Sequence, residues 1–321
     1  MPDQAREPQE VELNPQPRRR LLVWVLLLFA GSLVLGAVLA PYLFNALLWL
    51  GRHYPALSGL RDLEFEKVAS RAVTGVALLS IIPAVILAKL THLHSLGYKA
   101  CDDWWKRVGR GLTVGAVAMA VVLLLGWSIK AYELRPQFEP NLAGKLVAYF
   151  IGALLVGVIE ETLFRGALFG VLRRLMGFWG GAILSSVVYS AIHFARPEPQ
   201  VGVVYGHWYS GLKLLPYMFN TVRWGGYHFF PIALTLFVLG LVLCAYYRRY
   251  GNLYFVIGFH AGLVWVMRIG SYFFNREADQ FGWLFGPSEV IAKAYISLLV
   301  VLTFLAVALW PARGPPRVEG G

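Results

Sequence analysis

Three apolar stretches of the 321-residue chain carry acids or histidines, and these groups stand out as able to do chemistry. The first reads Val158-Ile159-Glu160-Glu161-Thr162-Leu163-Phe164-Arg165-Gly166. The second reads Val188-Tyr189-Ser190-Ala191-Ile192-His193-Phe194, and the third Ile257-Gly258-Phe259-His260-Ala261-Gly262-Leu263-Val264-Trp265. Ionisable groups in lipid-spanning sequence are costly and mark functional sites by default. On a helix, Glu161 and Arg165 stand four residues apart and share a face, the acid N-terminal to the base, so they can neutralise each other. Glu160 falls about 100° round the helix, on the side of Leu163 and Phe164, with no local cationic partner. Desolvation there would favour its protonated form, the tuning a general acid or base needs near neutral pH. The two acids thus take different roles, Glu161 as the paired, scaffold-holding acid and Glu160 as the working one. An inert polar clamp between helices is the competing account of Glu160, Glu161 and Arg165, and either histidine alone reads as an interhelical hydrogen bonder. Jointly, an acid and two imidazoles, His193 and His260, are what activating a water requires.

Other hydrolytic chemistries lack their residues. The chain has no His-Glu-x-x-His zinc-protease helix, no Gly-x-Ser-x-Gly elbow, no Asp within any apolar span and no Walker-type phosphate loop. His92 and His94 suit a solvated basic loop, while His53, His207 and His228 sit beside Tyr and Trp, as in an interfacial aromatic belt. Cys101 and Cys244 make no disulfide framework or thiolate metal cage and read as buried small apolar residues.

The elements that must position these groups are membrane helices. Hydrophobic residues make up 58% of the chain and charged ones only 15%, against about 25% charged in soluble domains, and mean hydropathy is +0.58. This excludes a disordered chain, an ordinary soluble enzyme and a nucleic-acid-binding basic domain. The net charge of +11 belongs to residues beside anionic headgroups. Eight apolar runs, 21–40, 69–89, 112–130, 147–169, 179–195, 229–247, 252–269 and 290–310, predict an all-α, polytopic membrane protein of about eight transmembrane helices. Residues 1–20 read as a disordered cytoplasmic tail, 21–310 as a single transmembrane domain and 311–321 as a C-terminal tail. The first span is expected to end near Pro41, and the aromatic connection 196–228 to lie at the interface. Clusters at 18–20, Lys106-Arg107-Arg110, Arg173-Arg174 and Arg248-Arg249 share one side if the spans alternate, which puts both termini in the cytoplasm. Counting the helix rise places Glu160 and His260 near mid-membrane and His193 towards the far side.

Glu160-Glu161-x-x-x-Arg165, the aromatic-x-x-x-His of Tyr189 to His193, and His260 on a later span together resemble the CAAX-processing and bacteriocin-processing family of intramembrane proteases, whose superfamily includes the eukaryotic prenyl-protein endopeptidase. The resemblance covers about residues 145–270. It implies that Glu160 activates a water with help from His193, that His260 helps to stabilise the oxyanion, and that Glu161 and Arg165 support them. It leaves open whether the centre is metal-free or holds a divalent metal on Glu160, His193 and His260, metal-free glutamate catalysis being the simpler reading. Two positions depart from the family pattern. Tyr189 stands where Phe is usual, and Val264 stands four residues after His260, where many members carry Asn. A lost oxyanion donor lowers turnover by about 10²–10³, unless Ser190, Arg268 or Asn220 substitutes.

The resulting expectation is an intramembrane endopeptidase in a bacterial-type plasma membrane, acting on membrane-anchored proteins or peptides in the lipid bilayer, with no nucleic-acid partner. The alternative is a catalytically weak or inactive membrane scaffold with the same fold, which Val264 favours. A proton-relay transporter would call for paired broken helices or an inverted repeat, and the sequence has neither.

Overall fold

The computed structural model describes residues 15–87, 92–135, 141–194, 205–218, 226–276, 284 and 295–310. The apolar runs form helices, because backbone groups surrounded by hydrocarbon must bond within their own segment. In chain order these are α1 (Pro15–His53), α2 (Phe65–Leu79), α3 (Ile81–Leu87), α4 (Trp104–Ser128), α5 (Leu142–Glu161), α6 (Phe169–His193), α7 (Ser210–Leu214), α8 (Gly226–Tyr250), α9 (Tyr254–Phe273) and α10 (Tyr295–Leu309). A π-helical segment, Thr162–Leu168, joins α5 to α6. Among the described residues six helical runs are long and apolar enough to cross a membrane.

Several boundaries differ from expectation. The tail expected over 1–20 is helical from Pro15, while residues 1–14 and 311–321 lie outside the described residues. The first helix does not end near Pro41 but runs through it to His53. Proline cannot donate to the carbonyl four residues back, here that of Ala37. Gly211 packs its backbone there, where an added Cβ would lie only 2.0 Å from the Ala37 oxygen. The described part of the 196–228 connection is therefore not confined to the interface. Leu214 joins Ala40, Phe44 and Ala72 in one buried cluster, and Met218 joins Ala37 and Val73 in another. The second span begins earlier than residue 69, at Phe65, and breaks at Ser80 into α2 and α3. Of the last expected span, 290–310, residues 290–294 lie outside the described residues, and the described part forms the 15-residue helix α10.

The expected spans 147–169 and 179–195 lie in one helical run, Leu142–His193, that folds back on itself. Gly177 has φ +74° and ψ −178°, a region essentially reserved for glycine. A Cβ on Gly181 would come within 2.7 Å of the Arg173 nitrogen, an approach that the ~12 Å rise over eight helical residues forbids in a straight helix. The Phe169 and Phe178 rings likewise lie 5.8 Å apart across the turn.

Two glycine pairs bring α4 and α9 into backbone contact. Cβ atoms on Gly111 and Gly115 would meet the carbonyl oxygens of Phe255 and Phe259 at 2.1 Å, and those on Gly258 and Gly262 would meet Val108 and Leu112 oxygens at 2.0 and 2.2 Å. This is the small-xxx-small packing by which membrane helices approach closely. The register rises together on both helices, so they run parallel. A short antiparallel ribbon, β1 (Tyr132–Leu134) with β2 (Phe274–Arg276), pairs Glu133 with Asn275 and ties the end of α9 to the α4–α5 connection.

Candidate active site

The hairpin and the glycine crossing set the site. Glu160 lies 17 residues before Gly177 and His193 16 residues after it. The fold-back therefore makes them level, although a separately started helix would have left His193 towards the far side. From the other direction, α4 holds the glycine face of α9 and leaves His260 to face α5, where a Cβ on Gly157 would lie 3.3 Å from that of Ala261.

Glu161 is the hub. It is fully buried, and its Oε1 accepts hydrogen bonds from Arg165 Nη1 at 3.1 Å and from His260 Nδ1 at 2.6 Å. The i,i+4 pair expected between Glu161 and Arg165 is thus present, and sequence spacing could not have shown its third member. Arg165 is buried with its guanidinium 4.5 Å from the centre of the Tyr189 ring, a cation–π contact that gains strength in a desolvated setting. This gives Tyr189 a structural role that the motif alone does not disclose. Held through Nδ1, His260 presents Nε2 to Glu160, 3.9 Å from Oε2. That Glu160 oxygen is buried and makes no hydrogen bond among the described residues.

His193 Nδ1 lies 2.7 Å from the Tyr189 carbonyl. A carbonyl only accepts, so Nδ1 carries the proton and Nε2 is left as the acceptor. Glu160 and His193 line one cavity of about 700 Å³ together with Ile159, Leu163, Phe164 and Ile192. Its opposite wall is α2, through Glu66, Lys67, Ser70, Arg71, Thr74 and Leu78. Sequence reading missed this wall, because the span was started at residue 69. The signal was present as polar residues at 66/67, 70/71 and 74, a helical spacing.

The π segment begins at Thr162, immediately after the two acids. Single-turn π distortions of this kind concentrate at functional sites. The Thr162 hydroxyl donates to the Val158 carbonyl at 2.5 Å and receives the Tyr98 hydroxyl at 2.5 Å, which ties the 92–103 connection to the site. Neither Tyr98 nor Thr162 stands out in the sequence.

Of the substitutes considered for the missing Asn at Val264, Ser190 donates instead to the Ala233 carbonyl at 2.9 Å. Arg268 rests over Gly152, its Nη1 2.7 Å from where a Cβ would be, two helical turns beyond His260. Asn220 lies outside the described residues, as does the side chain of His228. His53 and His207 stack on Trp49 and Tyr209. Cys101 and Cys244 are free thiols, and Cys101 is only partly buried. No group of three or more His, Cys, Asp or Glu among the described residues is arranged to hold a metal. The residues do not fit a divalent metal as they stand, so no step is derived through one.

The helices and the buried acid–imidazole cluster define a polytopic helical membrane protein. A family model described as Type II CAAX prenyl endopeptidase Rce1-like matches residues 142–266, a stretch that holds Glu160, Glu161, Arg165, His193 and His260. Over that segment the chain is similar to the CAAX-protease family of membrane proteins, in its Rce1-like group. No curated protein and no solved structure matches the chain. The family supports CAAX-type endopeptidase activity in general terms and a membrane-embedded protein substrate.

Proposed function

We propose that the protein is an intramembrane endopeptidase in which Glu160 activates a water, assisted by His193 and His260. The observation that carries this reading is the stacking of groups behind one cavity: His260 bridges Glu161 at 2.6 Å and faces Glu160 at 3.9 Å, while Glu160 and His193 share the cavity wall. Glu160 takes a proton from a cavity water as its oxygen attacks the scissile carbonyl carbon. His193, with Nδ1 bonded to the Tyr189 carbonyl, offers Nε2 as a second acceptor for the water. His260 donates to the oxyanion through Nε2 when the ring carries both protons, a cation that the Glu161 carboxylate neutralises. Glu160 then returns its proton to the leaving amine nitrogen as the C–N bond breaks, and the carboxyl product forms.

The substrate is a membrane-anchored protein or peptide. The membrane is a bacterial-type plasma membrane, with the termini on the cytoplasmic side. The test is Glu160→Gln, which keeps shape but removes the proton acceptor. Folded, membrane-inserted variant protein should cleave co-purifying membrane peptides at least ~10²-fold more slowly than wild type. Unchanged cleavage would refute the assignment. A second reading, a catalytically weak scaffold of the same fold, is favoured by Val264 alone, which offers no hydrogen bond to an oxyanion.

A further inference from the structure

The wall opposite Glu160 is unusual for a membrane helix. One face of α2, through Val68, Ala69, Ala72 and Val73, is buried against α1 and the 205–218 segment. The other face carries Glu66, Lys67, Ser70, Arg71 and Thr74 into the cavity. A polar face inside a span ordinarily meets polar partners. Here one pair is satisfied at the rim, where Lys67 Nζ lies 3.1 Å from Glu64 Oε1. Arg71 is exposed to the cavity and makes no hydrogen bond or ion pair among the described residues. The other cavity acids, Glu66 and Glu160, are not bonded to it.

Its height follows from packing. Leu78 and Ile81 pack in one cluster with Phe164 and Leu168, and Ala84 packs with Val171 a turn further on, so α2–α3 and α5–α6 advance together. Glu160, four residues before Phe164, is then level with Thr74, four before Leu78. Arg71 stands about 4.5 Å nearer the mouth, across the cavity. Beyond Arg71 the polar lining residues are Thr74, Glu160 and His193, and the rest is apolar, through Leu78, Leu163, Phe164 and Ile192. A peptide entering this cavity meets a free guanidinium within about one or two extended residues, at ~3.3 Å each, of the Glu160 level along the axis.

Resting on the endopeptidase reading, we propose that Arg71 is a specificity-determining residue that anchors a carboxylate of the substrate and so sets which peptide bond reaches Glu160. The guanidinium fork matches a carboxylate through two parallel N–H···O bonds. The carboxylate comes either from the peptide's own C-terminus or from an acidic side chain near the scissile bond, and the two sources are separable.

The test measures binding without turnover. The full chain carrying Glu160→Gln is placed in nanodiscs and titrated with palmitoylated photo-crosslinking peptides of one sequence that lacks acidic residues. One ends in a free acid, one in an amide, and one is the amide with a single internal Glu. The expected result is binding about tenfold or more tighter for a carboxylate-bearing peptide than for the plain amide. That preference should be lost in Glu160→Gln/Arg71→Gln and only partly kept in Glu160→Gln/Arg71→Lys, which retains the charge but not the fork. A gain by the free acid identifies the terminal carboxylate, and a gain by the Glu peptide alone identifies the side chain. The proposal is overturned if no peptide binds, if carboxylate and amide bind alike, or if the preference survives Arg71→Gln. Failure of the endopeptidase reading is separate: it appears as equal cleavage, or none, by the wild-type chain and Glu160→Gln, whatever the binding shows.

Discussion

Replacing Arg165 by leucine tests the buried cluster most sharply. Glu161 is fully buried and Arg165 nearly so, so Arg165→Leu leaves a carboxylate in a low-dielectric interior without its 3.1 Å partner. Breaking a buried pair from one side typically costs ~3–5 kcal/mol. Glu161 keeps the 2.6 Å bond from His260, which argues for the lower end, about 3 kcal/mol. Leucine also forfeits the cation–π contact with Tyr189, though it still covers the ring. At roughly 2–4 °C per kcal/mol, the thermal melt of the detergent-solubilised variant should fall by about 6–12 °C. Glu161→Gln/Arg165→Leu removes the stranded charge and should recover part of that loss, since a neutral amide can still bond to His260. The assay is a melt of wild type, both single variants and the double, which closes a double-mutant cycle. A loss in the double variant equal to the sum of the two single losses would show that the pair carries no coupling, and the hub role given to Glu161 would fall with it.

Further changes probe the other supports. His193→Ala and His260→Ala should each lower cleavage by ~10²-fold or more while the protein still inserts in the membrane; a rate within twofold of wild type for either would remove that residue from the mechanism. Gly258→Val would drive a Cβ into the Val108 carbonyl, now only 2.0 Å from that position. It should cost ~1–3 kcal/mol or more by melt and reduce turnover by shifting His260, whereas unchanged turnover would show that the α4–α9 crossing does not hold the histidine. Gly177→Ala meets no atom within 4 Å, so its cost should be backbone strain alone, ~1–3 kcal/mol. No change in melt would mean that the turn adopts another geometry. Val264→Asn should raise turnover about tenfold, roughly 1.4 kcal/mol of transition-state stabilisation, with Glu160 still required; a lower melt without any gain in rate favours the scaffold reading.

The sequence made the site's members legible because ionisable residues in lipid-spanning sequence stand out against an apolar background. Helical spacing was enough to pair Glu161 with Arg165. It could not show that His260, 99 residues away, completes that pair, since the contact depends on two glycine pairs bringing α4 against α9. The reversal between the expected spans 147–169 and 179–195 was legible, but not that its tip at Gly177 makes His193 level with Glu160. The α2 wall was hidden by its own polarity. Glu66 and Lys67 lower the local hydropathy, so the run reads as beginning after them, although both lie in the first turn of the helix; Arg71 falls inside the run but does not stand out there. Pro41 misled in the opposite direction, as a proline inside a helix is tolerated where a neighbouring backbone packs on the freed carbonyl.

The cavity has a direction. It runs inward from Glu64 and Lys67 at the start of α2. Arg173, Arg174, Arg248 and Arg249 gather at the opposite end, where the Arg248 guanidinium lies 4.5 Å from the centre of the Phe178 ring beside the hairpin tip. With that basic end in the cytoplasm, as proposed, the mouth opens to the exterior. A substrate would then be cut on its outward-facing segment, and both new termini would be released on that side. An anionic group held at Arg71 penetrates only the outer part of the bilayer. An inside-negative potential, worth ~2.3 kcal/mol per charge per 100 mV across the full thickness, would oppose carrying that charge inward. Cleavage from this mouth requires no charge to cross the membrane, so its rate should be nearly insensitive to the transmembrane voltage.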